Sequence, residues 1–287
     1  MPRFDVEAIK RYYEHNTSLF LRLGQGVDGT IRRAVWGPGV RSRAEAMAYV
    51  DELILEQLSA VAERSERRPR VLDLGCGVGA SLCRIARRQP LDGTGVTISP
   101  TQVRLAEASV KKLGLSDSVR VLEADFSKLP NELHDFDLAF AIESFVHAPE
   151  AQTFFRAAFA ALAPGGTLIV CDDFLATEPE NLDASAAWWL RRYREGWRAN
   201  LLLGPRELGE VSARVGFLAL GEEDLSGFVE LGRPRDRAIA LLTRGFGWLP
   251  FRSNYGSMLK GGDALQWCLK KGWIHYRICK WQKPEST

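Results

Sequence analysis

Arg70-Val71-Leu72-Asp73-Leu74-Gly75-Cys76-Gly77-Val78-Gly79-Ala80-Ser81 decides the fold. A short apolar run carries one acid, three glycines alternate behind it, and a helical pattern follows. This is the grammar of a parallel strand that turns into a helix beside a bound nucleotide. Gly75, Gly77 and Gly79 can take positive φ, and without Cβ they let backbone touch a ligand. Asp73 stands just before the turn, where it can accept hydrogen bonds from the loop or from a ligand's ammonium.

From residue 70 the chain alternates strand and helix patterns. Strands are expected near 70–74, 94–98, 119–124, 136–142 and 166–172, and helices near 79–89, 100–113 and 150–162. Further strands are expected near 215–224 and 273–281. Successive βα units imply a parallel, doubly wound sheet with helices on both faces and right-handed crossovers. Upstream, residues 6–23 and 43–64 repeat apolar side chains near the helical period, and Glu63 to Arg70 reads as a solvated connector.

The glycines alone serve two cofactors, since Gly75-x-Gly77-x-x-Ala80 also fits a dinucleotide loop. Three neighbours separate them. Asp73 would repel a pyrophosphate but suits the ammonium of S-adenosylmethionine. The second strand ends at Thr97-Ile98, where a nicotinamide enzyme wants an acid for the ribose. The third ends Glu123-Ala124-Asp125-Phe126, placing Asp125 where an adenine amino group would donate.

With these residues the chain resembles the class I S-adenosylmethionine-dependent methyltransferases. The likeness rests on Val71 to Gly79, Gly95 to Gln102, Glu123 to Phe126, Phe136 to Glu143 and Leu162 to Asp172. Gly95-Val96-Thr97-Ile98-Ser99-Pro100-Thr101-Gln102 resembles, more narrowly, the branch acting on sterols, tocopherols, prenyl diphosphates and small amines. The resemblance implies a Rossmann-like, mostly parallel seven-stranded sheet whose last strand inserts antiparallel. It implies an N-terminal helical lid and a helical, aromatic-rich cap inserted late in the chain. The expected division is 1–66 lid, 67–175 cofactor core, 176–271 cap around a sixth strand, and 272–287 last strand. The cofactor ligands it implies are Tyr12, Asp73, Gly75, Gly77, Thr97, Ile98, Gln102, Asp125, Phe126 and Glu143.

Ligands of such sheets bind beyond the carboxyl ends of the strands. The fourth strand ends Ile142-Glu143-Ser144-Phe145-Val146-His147, so Glu143 and His147 are candidate catalytic groups. The alternative reading makes Glu143 a loop cap and His147 a satisfied loop histidine. Tyr13 joins them from the first helix, both as base and as substrate contact. Trp189, Tyr193 and Trp197 follow i, i+4 steps, and Phe251 and Tyr255 come later; all five are candidate substrate contacts. Seven of the eight tryptophans lie beyond residue 187, which places any aromatic pocket in that half. Aromatic residues at helical spacing are otherwise core.

Within this branch the expectation is C-methylation of an alkene in a prenyl diphosphate or related terpenoid of secondary metabolism. A diphosphate would need two or three guanidinium forks, drawn from Arg32, Arg33, Arg41 and Arg43 or from Arg191, Arg192, Arg194 and Arg198. The resembling prenyl diphosphate enzymes use Mg²⁺, so Mg²⁺ is a candidate here, although no carboxylate cluster demands it. N- or O-methylation of an amine, sterol or phenol is the alternative. A non-catalytic S-adenosylmethionine-binding module is a third reading, of another class.

Composition sets the outer bounds. With 287 residues and a net charge of +2 the chain suits one α/β core with additions and no broad nucleic-acid surface. No apolar run approaches the roughly 18 residues of a membrane span, and the first residues lack a signal-peptide core. Cys76, Cys83, Cys171, Cys268 and Cys279 show no metal spacing, which suggests free thiols in a reducing cytoplasm. The expected partner is a small molecule, with homo-oligomerisation left open.

Overall fold

The computed structural model describes residues 4–23, 32–64, 66–245 and 254–285. Its centre is a seven-stranded sheet: β1 (Arg70–Leu74), β2 (Asp92–Thr97), β3 (Val119–Glu123), β4 (Phe136–Ile142), β5 (Leu162–Leu175), β6 (Leu218–Asp224) and β7 (Ile274–Gln282). The spatial order is β3-β2-β1-β4-β5-β7-β6. β1 to β5 pair in parallel, and β7 inserts antiparallel between β5 and β6. The order reverses between β1 and β4, and that switch point opens a crevice above the strand ends. β6 is an edge strand with every residue exposed, unlike the buried parallel strands.

The helices are α1 (Val6–Leu23), α2 (Arg43–Ala62), α3 (Ala80–Ala86), α4 (Pro100–Lys112), α5 (Ala151–Ala161), α6 (Ala184–Trp197), α7 (Pro205–Val215), α8 (Pro234–Gly245) and α9 (Asn254–Lys270). Local chemistry fixes their starts. Ser99 caps α4 by accepting the Gln102 N–H, with Pro100 at the first helical position. Asp183 caps α6 by accepting from Ala186 N at 2.7 Å. One sheet face buries Ile54 and Leu58 of α2 with Leu82 and Ile85 of α3. The other buries Phe154 and Phe155 of α5 with Leu208 of α7 and Trp281 of β7.

The late additions form a helical layer over the crevice. α6 and α9 cross where Gly196 meets Gly261 so closely that a Cβ on Gly196 would sit 2.3 Å from the Gly261 Cα. Glycine at both positions is therefore a packing requirement. The five cysteines are buried free thiols. Among the described residues no helix is long and apolar enough to cross a membrane.

Candidate active site

The glycine loop is rigid because backbone satisfies it. The N–H groups of Gly75 and Cys76 both donate to the Val96 carbonyl, at 3.0 and 2.9 Å. Gly75, Gly77 and Gly79 all hold positive φ. A Cβ on Gly75 would also lie 2.5 Å from the Ser144 Cβ. Behind the loop, Ser144 donates its hydroxyl proton to the Leu74 carbonyl at 2.5 Å, tying the end of β4 to the end of β1.

Above these strand ends lies a cavity of about 940 Å³, near the upper end of small-molecule pockets. Asp73, Gly75, Gly77, Thr97, Ile98, Gln102, Asp125, Phe126 and Glu143 all line it, as do Tyr13, His147, Tyr193 and Trp197. The loop, the two acids and this volume fit S-adenosylmethionine. Thr97 donates to Gln102 Oε1 at 2.7 Å, and Gln102 donates to Thr17 at 3.3 Å, so these polar groups are already engaged with one another and with α1.

Tyr12 does not join them. It is buried away from the cavity, edge-on to Tyr13, beneath a small surface hollow shared with Arg11, His15 and Arg198. Adjacent helical residues point about 100° apart, so one tyrosine faces the crevice and the other cannot. Trp189 is likewise not in the wall. It packs on Trp267 of α9, 5.6 Å between ring centroids, with the Arg244 guanidinium over its face. Each i, i+4 step advances about 40°, so Trp189 and Trp197 diverge by about 80°. Phe251 and the side chain of Tyr255 lie outside the described residues.

Tyr13 of α1 and His147 beyond the end of β4 meet, with Tyr13 Oη 2.7 Å from His147 Nε2. His147 Nδ1 lies 3.2 Å from the Arg198 carbonyl, which can only accept, so Nδ1 carries the proton. Nε2 is then the acceptor and the tyrosine is the donor. Burial pushes His147 from 6.5 down to about 4, which keeps the ring neutral. Burial also lifts the Tyr13 phenol well above 10, so it keeps its proton.

Glu143 sits at φ 52. Its Oε1 accepts from Arg33 N at 3.0 Å, from Arg33 Nε at 3.3 Å and from Tyr276 Oη at 3.0 Å. Arg33 forks onto Asp173 at 2.6 and 3.0 Å, and Tyr193 donates to the same carboxylate at 2.7 Å. One guanidinium thus faces two carboxylates, which leaves a surplus negative charge in the wall. Next to it, burial and the neighbouring Asp173 push the Asp172 carboxyl upward. Asp172 accepts the Val146 N–H at 3.1 Å and so holds the turn that carries His147.

Asp173 and Tyr276 carry no motif and were missed from the sequence, as was Glu14; Arg33 was expected only as a diphosphate fork, not as the partner of Glu143 and Asp173. Glu14 on α1 accepts from the Ser99 hydroxyl and from Thr101 N and Oγ1, the latter two at 3.1 and 2.6 Å. Asn200 was also missed. Its side chain pairs with both backbone groups of Phe4, 2.9 Å each, and donates to the His147 carbonyl at 3.3 Å.

The arginines of α6 do not reach the cavity. Arg194 holds the carbonyls of Ala199 and Asn200, and Arg192 lies over Trp188. Those that do line it are Arg32, Arg33, Arg233 and Arg235, against eight carboxylic side chains. Each is within salt-bridge distance of a carboxylate. Among the described residues no three His, Cys, Asp or Glu cluster to hold a metal ion. The residues present therefore do not fit a protein-held Mg²⁺.

Comparison with known proteins agrees with this geometry. Residues 71–166 match the model of a methyltransferase domain. A 24-methylenesterol C-methyltransferase from Oryza sativa subsp. japonica is 31% identical over 194 residues, 66% of this chain and 50% of that protein. The chain thus spans about half of that relative's length. A probable chloroplastic tocopherol O-methyltransferase from the same organism is 27% identical over 273 residues, 88% of this chain and 75% of that one. Among solved structures, the [4+2]-cyclase SpnF superposes with TM-score 0.70 and 26% identity, covering 98% of this chain and 96% of that one. A geranyl diphosphate methyltransferase has the same fold at TM-score 0.72 and 19% identity, covering 96% and 98%. Residues 71–166 thus form a methyltransferase domain, and the chain resembles the class I S-adenosylmethionine-dependent methyltransferases. Within them it is similar to the sterol and tocopherol branch.

Proposed function

We propose that the protein methylates an alkene carbon of an apolar, uncharged terpenoid-like small molecule. The observation that carries this reading is the Tyr13–His147 pair, proton-poised at the edge of an acid-rich, partly aromatic cavity. S-adenosylmethionine, when bound, supplies an electrophilic methyl group. Asp73, Gly75, Gly77 and Asp125 would hold it against the loop and the third strand. The wall then has two tasks: to align the acceptor and to exclude water, which together contribute on the order of 7–11 kcal/mol.

Methylation of an alkene leaves positive charge on the acceptor's neighbouring carbon. The surplus charge of Glu143 and Asp173 over Arg33, with the faces of Tyr193 and Trp197, suits that cation. A C–H proton then passes to the Tyr13 oxygen while the Tyr13 proton moves to His147 Nε2. The double bond reforms and the imidazole carries the added proton.

The uncharged acceptor is preferred to a diphosphate because every arginine of the wall already faces a carboxylate. The sterol methyltransferase likeness supports the same choice. Transfer of a labelled methyl group, tested on sterols, neutral terpenes, geranyl diphosphate, amines and phenols, separates the possibilities. Labelled neutral alkenes are the expected outcome. Turnover confined to the diphosphate, an amine or a phenol overturns the assignment.

The SpnF likeness, at 26% over nearly the whole chain, favours one second reading. The cavity would then serve a cyclisation while holding the cofactor as scaffold. That reading requires cofactor binding by calorimetry and no methyl release on any acceptor.

A further inference from the structure

Among the described residues the most exposed large apolar side chain is Leu241 of α8, 74% open to solvent, and Leu242 beside it is 52% open. Residues three and four apart on a helix are neighbours, so Arg237, Leu241 and Arg244 form one stripe of α8. Ile239 and Leu242 form the next stripe, and both line the cavity. α8 therefore presents leucine to the cavity rim and to the outside at once.

The outer stripe continues onto two neighbouring helices. The Arg244 guanidinium lies over the rings of Trp189 in α6 and Trp267 in α9, at 5.1 and 4.6 Å. Trp188, 47% exposed, meets Trp189 edge-on at 4.8 Å. Lys270 ends α9 and Lys271 follows it, both exposed, with Lys271 Nζ 5.1 Å from the Trp267 ring. Three helices thus share one surface on which leucine and tryptophan stand among guanidinium and ammonium groups.

The charge of that surface is one-sided. From Arg233 to Lys271 eight arginines and lysines stand against two acids, in a chain whose net charge is +2. Both acids turn inward, Asp263 onto Arg244 and Asp236 onto Arg233, with 1% and 10% of their side chains exposed. Among the described residues Arg237, Lys270 and Lys271 have no carboxylate within ion-pair distance. An apolar patch with a basic rim is the chemistry of a helix that lies on an anionic bilayer. Pairing this face with a second copy of itself would set lysine against lysine.

We propose that this face of the cap rests on an anionic lipid surface. Leu241 enters the acyl boundary, Trp188 lies at the headgroup level, and Arg237, Lys270 and Lys271 meet the phosphates. The proposal deepens the apolar-acceptor reading above and rests on it for one point, that an acceptor leaving the lipid enters past Ile239 and Leu242.

Sedimentation of the full chain with phosphatidylcholine vesicles, with and without phosphatidylglycerol, tests it. Each basic side chain near an anionic surface strengthens binding about fivefold. The wild type is therefore expected to partition at least about tenfold more strongly onto the mixed vesicles, and salt is expected to release it. Leu241→Asp is expected to weaken that partitioning by about tenfold or more, as is the double variant Lys270→Gln, Lys271→Gln. Leu113→Asp, at an exposed leucine that ends α4, is the control and is expected to bind as the wild type does. All the changed side chains are exposed, so melting and S-adenosylhomocysteine binding are expected to stay as in the wild type.

Absence of vesicle binding, or equal binding to neutral and anionic vesicles, overturns the proposal. So does equal weakening by Leu113→Asp, or a dimer in light scattering that Leu241→Asp dissociates. Methylation of neutral alkenes without vesicle binding removes the lipid surface and leaves the function standing. Vesicle binding that depends on Leu241, with no neutral alkene methylated, does the reverse.

Discussion

Tyr13 Oη donates to His147 Nε2 at 2.7 Å, across 134 residues of sequence, while the far nitrogen of the same ring is pinned to the Arg198 carbonyl. The imidazole lone pair therefore points at a phenol, and in the proposed mechanism the phenol oxygen is the group that would meet the acceptor. Tyr13→Phe and His147→Gln are each expected to lower kcat by on the order of 10²–10⁴. Binding of S-adenosylhomocysteine is expected to stay within about threefold. Single-turnover methyl transfer beside calorimetry checks both. Equal loss of affinity and rate would show that the pair holds the lid rather than the proton.

The same ring sets a pH dependence. Burial lowers His147 from 6.5 to about 4, so the unfolded chain takes up a proton there before the folded one does. The stability this neutral ring contributes is complete above pH 6.5 and is lost as pH falls toward 4. The loss is about 3 kcal/mol. Urea unfolding at pH 7, 5.5 and 4.5 is expected to show that slope, and His147→Gln is expected to flatten it. The rate constant is expected to lack the decline near pH 6.5 that a solvated imidazole gives.

Gly75 and Gly77 look alike in sequence but not in surroundings. Gly75 at φ +91 has the Ser144 Cβ 2.5 Å from where its own Cβ would stand, whereas Gly77 has nothing within 4 Å. Gly75→Ala is expected to lower stability by about 1–3 kcal/mol and to abolish cofactor binding. Gly77→Ala is expected to cost about 1 kcal/mol. Thermal unfolding with and without S-adenosylhomocysteine distinguishes them.

Trp189 and Trp197 divide structure from recognition. Trp189→Ala removes a stack on Trp267 and is expected to lower stability by roughly 1–3 kcal/mol, with kcat/KM unchanged. Trp197→Ala opens the cavity wall and is expected to raise the acceptor's KM. Steady-state kinetics on the two variants, with melting curves, shows whether the effects separate.

What sequence could show follows from the range of each constraint. Asp73 to Gly79 was legible because the turn demands glycine locally. Thr97 to Gln102 was legible because its partners lie five residues apart. The sheet was legible because apolar strands and helices alternate from residue 70. The pairing of Arg33 was not, since Glu143 and Asp173 stand 110 and 140 residues away and no spacing links them. Tyr12 and Trp189 failed for a narrower reason. The helical pattern identified the right helices but left their rotation about the axis undetermined by about one residue.

The first turns of α1 and Phe4 before it are fastened at four points. Lys10 meets Glu123 beyond β3 at 2.6 Å, Glu14 meets the start of α4, Tyr13 meets His147 beyond β4, and Asn200 clasps Phe4 just before the helix. A stiff rod anchored over both halves of the crevice cannot lift from one and stay seated on the other. Exchange of the spent cofactor and departure of a product are therefore expected to share a single event, and release of that helix is expected to pace turnover.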